Sequence, residues 1–397
     1  MKEKIKTLVL YANSPPSGRQ IISNTLLRGL FHFPDDYTPP SFLNHFRIGK
    51  KINNQFKSHY ISIGYVYDWI DAICKNPNLN VSLCDITNLI DYYTYKKRIG
   101  EYELIIIMHS AAGDDMSLLL KTSHWLRERR GKLVVFIGNE YDIMREKYLF
   151  LRKTGADYVC SQLPYKTAYW LYDDCAPTKV IPLPHALNPE KYKPIPKIKR
   201  ELDLGFIGAQ FPIWIGDKER NDFLFEIKSA CQKYNLNIDI RTNSANITAR
   251  KWAEFLNRCK GTPGSESGSY YLDNNGDILN QAKSYMCKNP SITFNKIYDK
   301  FFLSPKVNIR TGKSISSRHF EAIGTKTCQI LLEGDYNGIL KPGVHYFSIK
   351  KDYSNLDEIL REFQDESRRS QIIKYSYEYV MDAHTYQHRI QYLINNI

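Results

Sequence analysis

The sequence predicts an α/β protein made of two successive lobes, each a parallel β-sheet with helices on both faces. Two observations predict it: short apolar runs alternate with amphipathic helical segments, and one proline-rich segment interrupts the series. Such alternation is typical of parallel sheets, because a crossover helix must connect each strand to the next. The length of 397 residues fits roughly two domains of about 150 residues each.

In the first lobe, the predicted strands are short apolar runs. Residues 104–108 have the sequence Leu-Ile-Ile-Ile-Met, the continuous apolar pattern of a strand that is buried on both faces. The predicted strands are 8–12, 81–86, 103–108, 132–137, 156–161 and 179–182, and the predicted helices are 118–129, 143–151 and 166–173. Residues 30–60 contain Pro34, Pro39 and Pro40 among many polar residues, which predicts a long loop or a partly helical insertion.

A proline-rich segment separates the two lobes. Residues 188–200 contain three prolines and five basic residues, a composition typical of a semi-rigid linker. The predicted organisation is therefore an N-terminal domain at 1–187, a hinge at 188–200, a C-terminal domain at 201–375 and a final helix at 376–397. In the second lobe, the predicted strands are 202–207, 237–241, 327–332 and 345–349, the predicted helices are 218–234, 249–259, 317–324, 356–363 and the segment after 367, and 261–268 is a predicted glycine-rich loop.

The composition narrows the function classes. Lysine and arginine (55) exceed aspartate and glutamate (42) by 13, which favours an anionic partner: a nucleotide, an anionic membrane or a nucleic acid. The sequence has no RRM, KH or helix-turn-helix pattern and no dense basic block, so nucleic acid is not the predicted partner. Eight scattered cysteines without a CxxC pair, and no apolar run of roughly 20 residues, predict a cytoplasmic protein with reduced thiols.

Residues 314–335 are the most informative stretch. P-loop, dinucleotide-binding and zinc-protease motifs are absent, and His384 and His388 have no carboxylate pattern beside them, so no metal site is predicted. In 314–335, a hydroxyl-rich loop with Arg318 opens a short helix that carries Glu321. A helix N-terminus is a natural anchor for a diphosphate, and an acidic residue one turn further can bind a ribose diol. The alternative is a capped surface helix with a solvated glutamate.

Several blocks in one order carry a family resemblance: Arg318-x-Phe-Glu321-Ala, Gly324, Lys341-Pro-Gly343-Val-His345-Tyr346 and Ala383-His-Thr385-Tyr386-x-His-Arg389, preceded by Gly264-Ser-Glu266-Ser-Gly268. Together they resemble the C-terminal domain of the GT-B glycosyltransferases, of the group 1 type that includes the CgeB-like proteins. The resemblance spans residues 179–390. In the first lobe it is limited to the alternation of strands and helices.

The resemblance implies two Rossmann-like lobes with a central cleft. The first lobe would bind the acceptor, the second a nucleotide-sugar donor such as a UDP- or GDP-sugar, and the C-terminal helix would cross back to the first lobe. Fixed cations would neutralise the leaving diphosphate without a metal, and no cofactor besides the donor is implied. The implied donor-binding residues are Glu321 for the ribose, and Ser316, Ser317, Arg318, Gly208, Lys218 and Arg220 for the diphosphate. For Lys218 and Arg220, an exposed first helical turn is the alternative.

One departure concerns the donor sugar. Many retaining members carry Glu-x7-Glu, whose second glutamate corresponds to Glu321, but the position eight residues earlier is Lys313. Glu266, in a loop that a ligand can approach closely, is the candidate to supply the missing carboxylate. An inverting reaction needs a base, and His109 and Glu140 are candidates because each follows a predicted strand. Strand-end residues with structural hydrogen bonds are the alternative for both.

The first strand of the first lobe is followed by a loop that contains Gly18 and Arg19. A glycine lets the backbone approach an acceptor closely, although a plain strand-to-helix connection is the simpler interpretation. The predicted function is a cytoplasmic, metal-independent and retaining glycosyltransferase that acts on a surface glycan, a lipid-linked acceptor or a protein. Its remaining basic residues suit peripheral contact with the inner face of an anionic membrane. The alternative, which Lys313 keeps open, is a non-catalytic protein that binds a nucleotide sugar or polysaccharide on the same fold.

Overall fold

The computed structural model describes residues 3–13, 16–30, 42, 45–47, 64–242, 247–305 and 307–397. The chain forms two compact units: the first comprises Met1–Ser161, Tyr172–Ile181 and Leu393–Ile397, and the second comprises Gln162–Leu171 and Pro182–Tyr392. Each unit is built on its own sheet, one of six strands and one of five, which confirms the predicted α/β architecture of two Rossmann-like lobes. The insertion predicted at 30–60 lies mostly outside the described residues.

The first sheet contains β1 (Ile5–Tyr11), β2 (Leu79–Asp85), β3 (Leu104–Ile107), β4 (Lys132–Phe136), β5 (Tyr158–Ser161) and β6 (Lys179–Pro182). Their spatial order is β2-β1-β3-β4-β5-β6, and the strands from β2 to β5 pair in parallel. The isoleucines of β3 are fully buried, as expected for a strand covered on both faces. The helices of this unit are α1 (Gly18–Asn24), α2 (Tyr65–Lys75), α3 (Leu89–Lys97), α4 (Ser117–Thr122) and α5 (Met144–Thr154).

One helix of the first unit is shorter than predicted. The sequence predicts a single helix at 118–129, but α4 ends at Thr122 and a 3₁₀ helix, Ser123–Glu128, follows. The Thr122 hydroxyl donates to the Leu118 carbonyl at 2.7 Å, and the Ser123 hydroxyl donates in the same way to the Leu119 carbonyl. Such back-bonding from consecutive hydroxyl residues competes with the regular helix, so the change of helix type occurs where these residues stand.

The second sheet contains β7 (Leu202–Ile207), β8 (Ile238–Arg241), β9 (Cys259–Gly264), β10 (Cys328–Leu332) and β11 (Phe347–Ile349). The strands are parallel and lie in the order β11-β10-β9-β7-β8. Two hydrophobic clusters pack in this unit, one including Trp252 and Phe320, the other Phe223 and Phe363. The helices are α6 (Tyr165–Leu171), α7 (Glu219–Lys233), α8 (Ala249–Arg258), α9 (Asp277–Lys288), α10 (Phe294–Phe301), α11 (Ser317–Gly324), α12 (Leu356–Gln364), α13 (Glu366–Ala383) and α14 (Tyr386–Asn396). The last residues of α14, from Leu393 on, belong to the first unit.

Strand β9 corrects the sequence prediction. The sequence predicts a loop at 261–268, but the first four of these residues belong to β9, which lies between β10 and β7 in the middle of the sheet. Glycine is unusual in a central strand, and close packing explains it here. A Cβ on Gly261 would lie 2.6 Å from the Phe363 ring, and a Cβ on Gly205 of β7 would lie 2.3 Å from the Cys259 sulfur. The glycine-rich loop is therefore limited to 265–268.

The proline-rich residues 188–200 belong to the second unit. The N–H of Ile195 donates to the Asn257 side chain at 2.8 Å, and Arg200 donates to the Thr325 carbonyl at 2.5 Å. Tyr192 is buried among the apolar residues of this unit. These contacts attach the segment to α8 and to the end of α11. The predicted domain boundaries, including a hinge at 188–200, stay a prediction.

All eight cysteines are free thiols, and six of them are buried. Burial raises the pKa of Cys84 and Cys160 well above the ordinary value, so both stay protonated and unreactive near neutral pH.

None of the described helices has both the length and the apolar character that crossing a membrane requires.

Candidate functional site

The first turn of α11 lies at the carboxyl edge of the second sheet. Arg318 donates through Nη1 to the carbonyl of Ile207, the last residue of β7, at 2.5 Å. The Nε2 atom of His319 lies 4.0 Å from the position that a Cβ on Gly264, the last residue of β9, would take. These contacts fix the N-terminus of α11 beside the ends of two neighbouring strands, where ligands of parallel sheets bind.

A capping box between Ser316 and His319 closes the N-terminus of α11. Burial lowers the pKa of His319 to about 4, so its ring is neutral near pH 7. The neutral ring accepts the Ser316 N–H through Nδ1 at 3.0 Å. The first helical residue, Ser317, is buried directly behind this cap. The cap therefore orients the remaining N–H groups of the first turn without placing a charge there.

Two arginines lie beside Gly208, the residue that follows β7. The exposed Arg318 has its Nη1 atom 3.3 Å from the position that a Cβ on Gly208 would take. Arg220 donates to the carbonyl of Ala209 at 2.9 Å, and its guanidinium carbon is 3.5 Å from the centre of the Phe211 ring. Planar guanidinium groups match the paired oxygens of a phosphate. The structure thus brings together most of the residues predicted to contact the diphosphate: Arg318, Arg220, Gly208, Ser316 and Ser317.

Glu321 lies one turn further along α11 and is buried, with 5% of its surface exposed. Its Oε2 atom accepts a hydrogen bond from the Trp252 indole N–H at 2.7 Å. The Trp252 ring in turn lies 4.7 Å from the Arg318 guanidinium. Glu321 is therefore not the solvated surface residue of the alternative interpretation. Its carboxylate is held in a defined orientation beside Arg318.

Glu266 follows β9 and binds the turn after β10. Its Oε1 atom accepts the N–H of Tyr336 at 2.8 Å, and a Cβ on Gly334 would lie 2.5 Å from its Oε2 atom. Burial raises the pKa of Glu266, and the Tyr336 N–H and the charge of Lys313 partly oppose that rise. Glu266 is thus at the same sheet edge as α11, with an orientation that the Gly334–Tyr336 turn determines.

Lys313 is buried and forms an ion pair with Asp217. Its ammonium group lies 4.7 Å from the centre of the Tyr270 ring and 5.3 Å from that of Phe211, the ring on which Arg220 also lies. The residue that departs from the Glu-x7-Glu pattern therefore shares an aromatic neighbour with Arg220, and its charge is matched by a carboxylate.

The surroundings of Lys218 and Gly18 differ from those of the residues described at the N-terminus of α11. Lys218 is exposed, pairs with Asp222 at 3.2 Å, and lies 5.5 Å from the centre of the Phe294 ring. The described contacts of Lys218 do not include α11. Gly18 is the first residue of α1, capped by Ser17, and no atom lies within 4 Å of a Cβ placed on it. Part of its loop, residues 14 and 15, lies outside the described residues.

His109 and Glu140 belong to the first unit, where they follow β3 and β4. His109 is buried and stacks on Tyr65 with the ring centres 5.1 Å apart. Burial lowers its pKa to about 3, which makes the ring a weak base near pH 7. Glu140 is also buried and accepts a hydrogen bond from the Tyr172 hydroxyl at 2.7 Å. These surroundings favour structural roles, and the assignment of either residue as a base stays a prediction.

Three residues of the second unit's site carry no sequence prediction: Trp252, Asp217 and His319. The role of His319 could have been predicted locally, because in a capping box the third helical residue pairs with the N-cap residue, here Ser316. Trp252 and Asp217 are 69 and 96 residues from Glu321 and Lys313, respectively, and no local pattern links residues so far apart. Among the described residues, no group of three or more His, Cys, Asp or Glu side chains is arranged to hold a metal ion.

Residues 270–395 match the family model described as "Glycosyl transferase-like". The matched segment contains Lys313, α11, β10 and the turn that binds Glu266, whereas β7 and Arg220 precede it. The predicted resemblance to glycosyltransferases is thereby confirmed for this segment, and the narrower CgeB-like resemblance stays a prediction. Among curated proteins, none matches the sequence significantly.

Solved glycosyltransferases have a similar fold. A DNA-modifying β-glucosyltransferase aligns with a TM-score of 0.52 at 10% identity over 99% of each chain. The β-glucosyltransferase of T4 phage aligns with a TM-score of 0.50 at 10% identity over 98% of each chain. HepE from Anabaena aligns with a TM-score of 0.47 at 10% identity, over 99% of this chain and 100% of HepE. The first two alignments confirm the predicted GT-B fold.

Proposed function

We propose that this protein, whose residues 270–395 match the glycosyl transferase-like family model, is a glycosyltransferase that transfers a sugar from a nucleoside-diphosphate donor. The observation that carries the proposal is the meeting of Arg318 and Arg220 beside Gly208, at the N-terminus of α11. Breaking the bond between the sugar and the diphosphate leaves negative charge on the departing oxygen. Fixed guanidinium groups and helix N–H groups stabilise such charge as it develops.

Glu321 supplies the second part of the donor site. It lies one turn from Arg318, so a nucleotide whose diphosphate contacts Arg318 places its ribose within reach of the carboxylate. Trp252 holds that carboxylate in place through its indole N–H. The DNA-modifying β-glucosyltransferase with the same fold has uridine diphosphoglucose as its substrate. UDP is therefore the first nucleotide to test, and GDP the second.

The donor sugar would contact a different set of carboxylates from those of the Glu-x7-Glu pattern. Lys313 occupies the first position of that pattern, and Asp217 pairs with it in a buried contact. Glu266 faces the same region, because the charge of Lys313 acts on its pKa. We assign the positioning of the sugar to Glu266, with the Lys313–Asp217 pair as its neighbour.

The proposal extends to the course of the reaction and its setting. Two arginines at the diphosphate position support transfer without a metal, and the family resemblance supports retention at the anomeric carbon. We expect the acceptor to be a surface glycan, a lipid-linked sugar or a protein, with the first unit binding it. Free thiols at all eight cysteines support a cytoplasmic location.

Calorimetry with UDP and GDP, on the wild type and on Arg318→Met and Arg318→Lys variants, tests the donor site. We expect nucleotide binding to fall at least tenfold in R318M, because a contact with a charged group is worth about 1.5–3 kcal/mol, and to recover partly in R318K. Nucleotide binding that is equal in all three proteins would overturn the donor site. Donor hydrolysis, measured with and without EDTA, then tests turnover and metal independence. Nucleotide binding without turnover of any donor would favour the non-catalytic alternative.

A further inference from the structure

A cavity of about 560 Å³ lies at the opposite, amino-terminal edge of the second sheet. Arg200, Lys260 and Lys326 line it, and these residues stand just before β7, near the start of β9 and just before β10. The other wall is a face of α13. Lys260 and Ser265 are five residues apart, about 17 Å along an extended strand, so this cavity is separate from the carboxyl edge where α11 begins.

The lining carries more positive than negative side chains. The cations are Arg200, Lys260, Lys326, Arg369 and Lys374, and the anions are Glu366 and Glu378. Of these cations, only Lys260 has an ion pair within the described part of the chain, with Asp203 at 2.7 Å. The cavity therefore presents an excess of positive charge.

The two arginines and the two remaining lysines differ in their partners. Arg200 donates to the Thr325 carbonyl at 2.5 Å and Arg369 to the Phe363 carbonyl at 2.6 Å, both at the C-terminal ends of helices. The negative ends of these helix dipoles offset part of the guanidinium charge. Lys326 and Lys374 have no carboxylate within ion-pair distance among the described residues, and both are exposed at the cavity. Their ammonium groups are thus the cations best placed to meet an anionic ligand.

Lys326 has a backbone conformation that glycine adopts more easily. Its φ is 55°, and it follows the C-cap of α11. Its N–H donates to the Ile323 carbonyl and the Thr327 N–H donates to the Ala322 carbonyl, each at 2.9 Å. These two bonds form a Schellman motif, in which glycine is the usual residue at this position. A lysine at a position where it strains the backbone indicates a use for its side chain.

The side chain of Lys326 is also held in place. Its ammonium group lies 4.6 Å from the centre of the Tyr377 ring, and Tyr377 itself lines the cavity. A cation over an aromatic face gains a modest attraction and loses rotational freedom. The ammonium group is thereby presented to the cavity before any ligand arrives, which lowers the entropy cost of binding.

We propose that this cavity binds the phosphate group of a ligand other than the sugar donor. Compact, strongly hydrated ammonium groups suit a phosphate monoester or a diphosphate. The volume is in the usual range for pockets that take small molecules or head groups. Because the cavity is at the edge opposite α11, its ligand regulates or anchors the protein and does not react. The phosphate belongs to a soluble compound or to a lipid head group.

The replacement Lys326→Gly separates ligand binding from folding. Glycine removes the ammonium group and also relieves the left-handed backbone, so the variant should unfold at a temperature equal to or above that of the wild type. We expect its affinity for pyrophosphate, measured by calorimetry on the full chain with the proposed donor site saturated by UDP, to fall about tenfold or more. Lys326→Arg keeps the charge and should retain most of the affinity. Glu378→Gln removes a repelling carboxylate and should tighten binding.

Vesicles distinguish the two sources of the phosphate. Phosphatidylcholine vesicles with and without phosphatidic acid are floated with the wild type and with K326G. Pyrophosphate binding that K326G loses supports a soluble ligand. Binding only to phosphatidic acid vesicles, again lost in K326G, supports a lipid head group. Equal binding of wild type and K326G to both probes, with Glu378→Gln also unchanged, would overturn the proposal.

Discussion

Replacing Glu321 with alanine should lower both the nucleotide affinity and the free energy of unfolding, for two separable reasons. The carboxylate is expected to bind the donor ribose, and in the structure it already accepts the Trp252 indole N–H at 2.7 Å. Losing a charge-assisted hydrogen bond to the ribose should reduce nucleotide binding by about 1–3 kcal/mol, which is about 5- to 150-fold in Kd. Leaving the buried indole N–H without this acceptor should lower the free energy of unfolding by about 1–3 kcal/mol.

Two matched variants separate these effects. Glu321→Gln keeps an oxygen that can accept the Trp252 N–H but removes the charge, so stability should stay near that of the wild type while nucleotide affinity falls. Trp252→Phe removes the indole N–H and keeps the carboxylate and an aromatic ring near Arg318. It should lower stability and leave nucleotide affinity within a few-fold of the wild-type value.

Isothermal titration with UDP and GDP measures the affinity, and urea denaturation measures the free energy of unfolding. The expected pattern is a loss of affinity in both Glu321 variants and a loss of stability in E321A and W252F. Wild-type nucleotide affinity in a folded E321A protein would refute the ribose assignment. An affinity loss in W252F as large as in E321A would show that the site fails through packing and not through the carboxylate.

Three further predictions concern the packing around the site and the first unit. Lys313→Met leaves Asp217 buried without its counter-charge and should cost about 3–5 kcal/mol of stability; in urea denaturation, the K313M/D217N double variant should recover most of that loss. Gly334→Ala places a Cβ 2.5 Å from the Glu266 carboxylate and should lower the free energy of unfolding by about 1–3 kcal/mol. An unchanged free energy of unfolding in urea denaturation would show that the turn moves to accommodate the added methyl group. Burial lowers the pKa of His109 from 6.5 to about 3, so unfolding takes up a proton between these values. Stability should fall as pH drops below 6.5, by up to about 1.4 kcal/mol per pH unit, and His109→Phe should reduce this slope in urea titrations at several pH values.

The strands that the sequence predicts best are those whose own side chains make them recognisable. The isoleucines of β3 form a continuous apolar run, and this run alone predicts a buried strand from the sequence. Strand β9 has no such signal, because its Gly261 is required by the close approach of Phe363 and Leu204 from other elements and not by its own conformation. A prediction from local composition assigns such a strand to a loop, since the reason for its composition lies in distant residues.

The candidate site likewise contains residues that the local sequence predicts and residues that only folding brings together. Ser316, Arg318 and Glu321 lie within six residues, so the sequence alone predicts a helix N-terminus with a carboxylate one turn later. The atoms that orient them, the Ile207 carbonyl and the Trp252 indole, come from β7 and α8 and are joined only by folding. The sequence also predicts a role for Lys218 from its position. Its ion pair with Asp222 is local, four residues along the chain, whereas its contact with Phe294 of α10 forms only on folding.

The replacement of an expected glutamate by Lys313 does not add a third cation to the diphosphate position. The Lys313 ammonium pairs with Asp217. It shares the Phe211 ring with Arg220: the ring centre is 5.3 Å from the ammonium and 3.5 Å from the Arg220 guanidinium carbon. The charge of Lys313 is therefore matched before a donor arrives. In the proposed donor site, the cations left to meet a leaving diphosphate are Arg220 and Arg318. Replacing Arg318 should therefore reduce donor binding directly, whereas replacing Lys313 should act first on stability.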